Sequence, residues 1–174
     1  MAFSTLKIYF GELNHTALGD FRLAVSDLGL LAVEWADSQP KLDSYLRRFK
    51  CAVEPNQAKI KPYAKELGEY LKCKRHEFTF PVDWSTLRPF QLETLKVVYA
   101  IPYGEIRTYA EVALQIDRLH AYRAVGRANA TNPMPIVIPC HRVIGKDGKL
   151  HGYGGGDGLP TKEWLLKFEG AVIA

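Results

Sequence analysis

From Leu6 to Ala36 the chain sets short apolar, β-branched or aromatic runs, LKIYF, DFRLAVS and LLAVEWA, between Gly11, Gly19 and Gly29. Runs of that length between turn residues predict strands joined as hairpins. Farther on, KLDSYLRRF and YAKELGEYL carry apolar residues three and four apart, the mark of two amphipathic helices. FTFPVDWS predicts a last strand that gives way to a linker, because Pro81 removes a ladder donor. A boundary is placed near Trp84, dividing the chain into domains of residues 1–84 and 85–174.

Beyond Trp84 the period changes to helical. RPFQLETLKVVYAI has Pro89 near its first helical position and stops at Pro102 and Gly104. TYAEVALQI opens with Thr108 and Glu111 in the S/T-x-x-E spacing of a capping box. AYRAVGRANATNP must end by Asn132, since the residue before a proline is driven out of the helical region. Two short helices joined by about four residues predict a helix-turn-helix, the second presenting Arg123 and Arg127 at i and i+4 on one face. Spacing alone leaves DNA binding open, because helical hairpins are common in other proteins. The expected class is α+β, a strand-rich part followed by a mostly helical one.

Composition narrows the setting without deciding the function. The 174 residues are 47% apolar and 24% charged, ordinary for one sizeable or two small globular domains. Net charge is +4, and from Ser85 onward eleven Lys and Arg face eight Asp and Glu. That excess permits a polyanionic partner without requiring one. Cys51, Cys73 and Cys140 are odd in number and widely spaced, so a reducing compartment fits better than a disulfide framework. MAFSTLKIYFGELNH lacks a basic segment followed by an apolar one, and no run is long enough to span a membrane. The expectation is a soluble intracellular protein. His15, Cys51, Cys73 and His76 include one CKRH pair without a second at comparable spacing, so metal binding is not supported.

The chemistry concentrates in IVIPCHRVIG, residues 136–145. Pro133, Pro135 and Pro139 predict an extended, stiff rail that delivers Cys140 to one place. A buried cysteine is most often a small core hydrophobe. Three features favour reactivity instead. His141 and Arg142 follow directly, and cationic neighbours favour a thiolate. In an extended segment His141 would point away from Cys140, so a water is expected to carry the proton between them. Glu169 stands in the last turn of TKEWLLKFEG, a helix with Trp164, Leu165 and Phe168 toward a core and Gly170 as its C′ residue. An anion there opposes the helix dipole, which suggests a histidine partner, although a solvated surface glutamate is the plain alternative. Finally, HGYGGGDG is a glycine-dense loop that admits close backbone approach to a ligand, or simply a mobile turn. It matches no phosphate-binding pattern.

With these residues in view, the chain resembles the methylated-DNA–protein-cysteine methyltransferases, the O6-alkylguanine-DNA alkyltransferase family. IPYGEIRTYAEVA, RAVGRANATNP, IVIPCHRVIG, GYGGG and KEWLLKFEG occur in the family's order and at nearly its spacing. TALGDFRLAVSDLGLLAVEW and GEYLKCKRHEFTFPVD resemble its N-terminal domain. The resemblance implies a small ribonuclease H-like α/β domain with antiparallel strands, followed by a domain with a winged-helix-like helix-turn-helix.

It further implies irreversible, stoichiometric transfer of the alkyl group of O6-alkylguanine, and conceivably of O4-alkylthymine, in duplex DNA to Cys140. The damaged base would be flipped into a pocket. Arg123 would fill the space the base leaves, and Tyr109 would assist rotation and donate a hydrogen bond to the guanine ring. His141 would take the thiol proton, Glu169 would orient the imidazole, and Asn132 would fix the rail through backbone hydrogen bonds. Lys162 matches a lysine near the tyrosine. Gly126, Pro135, Tyr153 and Gly154 match substrate-binding positions. No cofactor and no metal are implied, and the protein would act as a monomer in the cytoplasm, or in the nucleus where there is one.

The chain departs from the family at several points. Asp117 and Cys73 stand where turn glycines are usual, Gly154 where some relatives have serine, and two additional residues lie within GGGDGLPTK. The first half lacks the cysteine and histidine set by which some relatives bind zinc. Two other readings share these residues: a lesion-binding protein without chemistry, and a cysteine hydrolase built on Cys140, His141 and Glu169.

Overall fold

The computed structural model describes residues 6–172, so part of the amino-terminal segment read for a leader lies outside the described residues. The chain divides into two compact units, residues 1–86 and 87–174. Among the described residues no helix is long and apolar enough to cross a membrane.

The first unit is built on a four-stranded sheet in the order β3-β2-β1-β4. β1 (Ile8–Thr16), β2 (Gly19–Ser26) and β3 (Gly29–Trp35) form the expected antiparallel hairpins, with Phe10 opposite Ala24 and Leu23 opposite Val33. A short parallel strand, β4 (Val53–Pro55), adds to β1; at three residues it was too short to show a period. Gly19 and Gly29 open strands at turns with positive φ, whereas Gly11 lies inside β1 and is no turn. Its lack of a side chain serves packing: a Cβ there would meet Gln57 and Ile60 of α2 (Gln57–Tyr70) at 2.4 and 2.9 Å.

Two helices cover the sheet. Ile8 and Gly11 are three residues apart and face opposite ways. Ile8 joins Ala24, Leu31, Leu42 and Leu46 in one apolar cluster, which places α1 (Gln39–Arg47) on the face opposite α2. With both faces covered, all seven residues of β3 are buried, as its continuous apolar run requires. α2 starts six residues earlier than YAKELGEYL suggests, because Asn56 caps it by accepting from the Lys59 amide and Pro62 is carried inside it.

FTFPVDWS does not form the expected strand. It makes one bridge, Val82 with Leu30, and then a 3-10 turn over Trp84–Thr86. Pro81 has no N–H to extend a ladder, and its carbonyl accepts from the Leu30 amide at 2.9 Å. Phe78 and Phe80 leave the sheet line to pack on Tyr70 and Tyr63.

In the second unit α3 (Pro89–Tyr99), α4 (Tyr109–Gln115) and α5 (Tyr122–Ala130) pack against one another around Leu95, Val98, Val112, Ala113, Val125 and Ala128. The Thr108–Glu111 capping box is formed on both sides, a device that contributes about 1 kcal/mol. The α4–α5 turn holds Asp117 at φ 56, the left-handed region that a short polar side chain tolerates. Two residues of β5 (Arg107–Thr108) pair in parallel with β6 (Val143–Ile144). α6 (Leu159–Phe168) buries Thr161, Lys162, Leu165 and Leu166. Leu166 takes the place expected of Trp164 and Phe168, which are half-buried and stack on each other at 4.7 Å. Gly170, at φ 71, ends the helix as expected.

Candidate functional site

The segment leading to Cys140 is not the extended rail that its prolines suggest. Met134 to Ile138 is a tight turn closed by the Ile138 amide on the Met134 carbonyl at 2.8 Å and by a Pro135–Ile138 bridge. At its apex Ile136 is held at φ 73 with 1% of its surface exposed. A β-branched residue in that region is strained, and burial of its side chain offsets the strain. Prolines limit the flanking residues, but nothing in MPIVIP marks Ile136 for a positive φ.

Asn132 holds this turn. Its Oδ1 accepts from the Met134 amide at 2.9 Å, and its Nδ2 donates to the Ile138 carbonyl at 2.8 Å. The same Nδ2 lies 3.2 Å from Cys140 Sγ, a contact the sequence did not reveal. A donor aimed at sulfur favours its charged form.

Cys140, His141 and Arg142 form a single 3-10 turn in place of an extended run. Cys140 is 5% exposed and His141 wholly buried. His141 Nε2 is 2.7 Å from Glu169 Oε1. Its other nitrogen, Nδ1, is buried without a hydrogen-bond partner in the protein. Burial lowers the proton affinity of His141 below its ordinary value, and the Arg142 and Lys162 charges add to that, against the opposing pull of Glu169. His141 is therefore neutral near pH 7, with Nε2–H donating to the carboxylate and a lone pair left on Nδ1. Glu169 is the helix C-cap, 6% exposed. Burial pushes its proton affinity up, but hydrogen bonds from His141 and Arg142, with the Arg142 charge, outweigh burial and hold it well below the carboxylate range.

The hydrogen bonds of Arg142 go to Glu169 and the backbone. Its Nε and Nη2 clasp both Glu169 oxygens at 2.8 and 2.9 Å, and its Nη1 donates to the Ile101 carbonyl. The Gly104 amide adds a 3.2 Å bond to Glu169 Oε2. Neither contact shows in the sequence, since both join residues far apart in the chain.

A second cluster gathers on α4 and α6. The Tyr109 hydroxyl donates to the His151 carbonyl at 3.2 Å, and Lys162 Nζ lies 3.4 Å from that hydroxyl. Lys162 is fully buried, with Nζ also donating to the carbonyls of Val143 and His151 at 2.6 and 2.9 Å. Burial, with a contribution from the Cys140 charge, pushes Tyr109 up to about 12. Burial lowers Lys162 to about 8, against the pull of that same charge. Tyr109 thus remains a hydrogen-bond donor at any physiological pH. A Cβ on Gly126 would sit 3.9 Å from the Tyr109 ring.

Arg123 is exposed on α5, its guanidinium 5.9 Å from the Tyr122 ring, and Arg127 is exposed on the same helix. Pro135 is buried in the turn before Cys140, Tyr153 is half-buried and Gly154 exposed. Among the described residues no three His, Cys, Asp or Glu side chains converge as a metal site. The structure thus joins Asn132 with Cys140, His141 with Glu169, and Tyr109 with Lys162, and leaves Arg123 on the outer surface.

The chain as a whole matches a known family. Residues 8–84 match the family described as 6-O-methylguanine DNA methyltransferase, ribonuclease-like domain, and residues 89–171 match its DNA binding domain. The chain is 47% identical over 158 residues to the methylated-DNA–protein-cysteine methyltransferase of Methanosarcina barkeri, covering 91% of this chain and 95% of that protein. It is 46% identical over 111 residues to the inducible methylated-DNA–protein-cysteine methyltransferase of Bacillus subtilis, covering 64% of this chain and 60% of that protein. The crystal structure of Mycobacterium tuberculosis OGT in complex with DNA superimposes with a TM-score of 0.78 at 34% identity, over 93% of this chain and 92% of that one.

Proposed function

The chain belongs to the methylated-DNA–protein-cysteine methyltransferase family, and from that premise we propose that it repairs duplex DNA by moving the alkyl group of O6-alkylguanine onto Cys140, once per molecule. Residues 85–174 carry the reaction and residues 1–84 form the accompanying domain. The protein acts as a monomer inside the cell, and its partner is double-stranded DNA containing the lesion.

The observation that carries this reading is the buried pair of Glu169 with His141, which shares a 3-10 turn with Cys140: His141 Nε2 is committed to the carboxylate at 2.7 Å and Nδ1 has no protein partner. A water between Nδ1 and Sγ relays the thiol proton to the imidazole. The sulfur attacks the alkyl carbon, a C–S bond forms, and the bond from that carbon to O6 breaks with its electron pair leaving on guanine. The 3.2 Å contact from Asn132 Nδ2 steadies the thiolate before attack. Tyr109 donates its hydrogen bond to the departing purine, whose growing negative charge it offsets. Lys162, 3.4 Å away, holds the tyrosine in place.

Reaction inside a duplex requires the base to leave the stack. Exposed Arg123 enters the space vacated, while Gly126, on the same helix, lets the backbone approach closely. Pro135, Tyr153 and Gly154 wall the pocket. A thioether has no hydrolytic exit of the kind an acyl-enzyme has, so one molecule repairs one lesion. No cofactor enters the balance of bonds.

A duplex carrying O6-methylguanine, incubated with the protein, leaves one methyl group on the Cys140 peptide by mass spectrometry. An unmodified peptide at stoichiometric DNA refutes transfer. Tight lesion binding without it would identify a binder, and repeated turnover of an ester or amide would identify a hydrolase.

A further inference from the structure

Glu169 ends α6, where the helix dipole disfavours an anion. Oε1 accepts from His141 Nε2 at 2.7 Å and Arg142 Nη2 at 2.9 Å, and Oε2 accepts from Arg142 Nε at 2.8 Å and the Gly104 amide at 3.2 Å. The turn supplying that amide is fastened to the same place by two further bonds: Arg142 Nη1 donates to the Ile101 carbonyl, and the Tyr103 hydroxyl donates to the Phe168 carbonyl at 3.4 Å. Gly104 is at φ 77, and a Cβ there would come within 3.0 Å of the Glu169 carbonyl. The Arg142 guanidinium is 5.8 Å from the Tyr103 ring centroid.

We propose that Arg142 and the Ile101–Gly104 turn are positioning residues for activation of the thiol. They clasp Glu169 from the sides away from His141, so that the carboxylate shows the imidazole one oxygen and leaves Nδ1 free to accept a proton. A carboxylate facing His141 alone would do the opposite. Its undivided charge would keep a proton on the ring and fill the acceptor site before Cys140 could use it. Arg142 shares that charge through its own positive charge and two charge-assisted hydrogen bonds. The charged and titratable groups around His141 are Cys140 before it, Arg142 after it, and Glu169 and Lys162 from α6; from the end of α3 comes the Ile101 carbonyl, which is held by Arg142.

This inference rests on the proposed reaction for what Cys140 attacks, but the state of the imidazole is measurable without any reaction. In protein labelled with 15N at histidine, the ring nitrogens of His141 are followed through a pH titration. The wild type is expected to show the neutral Nε2–H tautomer at pH 7, titrating below the ordinary histidine value. Arg142→Met should raise the midpoint by about one unit, Arg142→Lys should hold it near the wild type, and Gly104→Ala should leave the charge balance intact.

Methyl transfer from an O6-methylguanine duplex, measured over the same pH range, should follow. Arg142→Met loses up to about tenfold on the acid limb, below both midpoints, and recovers as pH rises, because that limb moves with the imidazole. Gly104→Ala slows transfer several-fold at every pH without moving that limb. A wild-type Nδ1–H tautomer overturns the proposal, as does an Arg142→Met midpoint equal to that of the wild type. Should Arg142→Met not fold, the wild-type tautomer and the Arg142→Lys titration still decide it. If wild-type protein transfers no methyl group, the repair reading fails while the titration continues to test this one.

Discussion

The two units handle charge in opposite ways. In the first, ion pairs such as Arg22–Glu12 and Lys59–Asp27 lie at the surface, over a sheet whose interior is almost wholly apolar. Asp83 and Glu34 are buried there: Asp83 accepts from the hydroxyls of Ser26 and Ser85, and Glu34 has a partner, Lys41, that reaches it from the solvent side at 3.1 Å. In the second unit His141, Arg142, Lys162 and Glu169 are all buried. Backbone strain is placed in the same spirit: His15, Lys50, Cys73 and Asp117 take positive φ at exposed positions, whereas Ile136 takes it inside the core of the second unit. Removing charges from water and holding a β-branched residue in the left-handed region both oppose folding. Neither would persist in a domain whose task was only to remain folded. The costs gather around Cys140, and in the proposed reaction they hold the proton acceptor and the sulfur in place.

The contrast should be sharpest where an anion is removed. Glu169→Ala leaves Arg142 buried without its partner and should lower stability by about 3–5 kcal/mol. Glu12→Ala, which frees the half-exposed Arg22, should change it by less than about 1 kcal/mol. Chemical denaturation of the two variants compares them, and equal losses would erase the distinction between the units. A smaller effect tests strain in the first unit. Gly29→Ala, at φ 137, drives a Cβ to 2.3 Å from the Pro81 carbonyl, while Gly19→Ala, at φ 88, meets no atom within 4 Å. The second should cost about 1–2 kcal/mol from backbone strain alone and the first clearly more. The smallest effect on folding belongs to Arg123→Ala, an exposed position where stability should stay within about 0.5 kcal/mol. Its effect should appear in repair, with reaction on duplex DNA weakened and reaction with free O6-benzylguanine preserved. Equal loss on both substrates would remove Arg123 from the proposed role in base extrusion.

Elements whose causes are local could be read from the chain. The capping box at Thr108 and Glu111, the proline start of α3, the glycine end of α6 and the three hairpin strands all follow from residues within a few positions of one another. Errors arose where tertiary partners decide. FTFPVDWS has strand composition, yet its phenylalanines pack on Tyr63 and Tyr70. The proline-bracketed MPIVIP suggested extension, but Asn132 and the buried side chain of Ile136 stabilise a turn. In the site, the pairing of His141 with Glu169 was anticipated because a carboxylate at a helix C-terminus is misplaced unless it has a partner. The clasp of Arg142 on Glu169 is not legible, since adjacency in sequence says nothing about which way a long side chain folds back. The Gly104 amide carried no signal, because a backbone donor looks the same at every residue.

The parallel pairing of Arg107–Thr108 with Val143–Ile144 has a consequence for tolerance to sequence change. Tyr109 follows one partner directly, and Cys140 precedes the other by three residues. The interval between Tyr109 and Cys140 is therefore gauged by main-chain bonds that no side-chain replacement deletes, short of proline. In the proposed reaction, Pro135, Tyr153 and Gly154 can change to suit larger or smaller lesions while that interval stays fixed. Breadth of substrate and constancy of chemistry are thereby separately adjustable within one small domain.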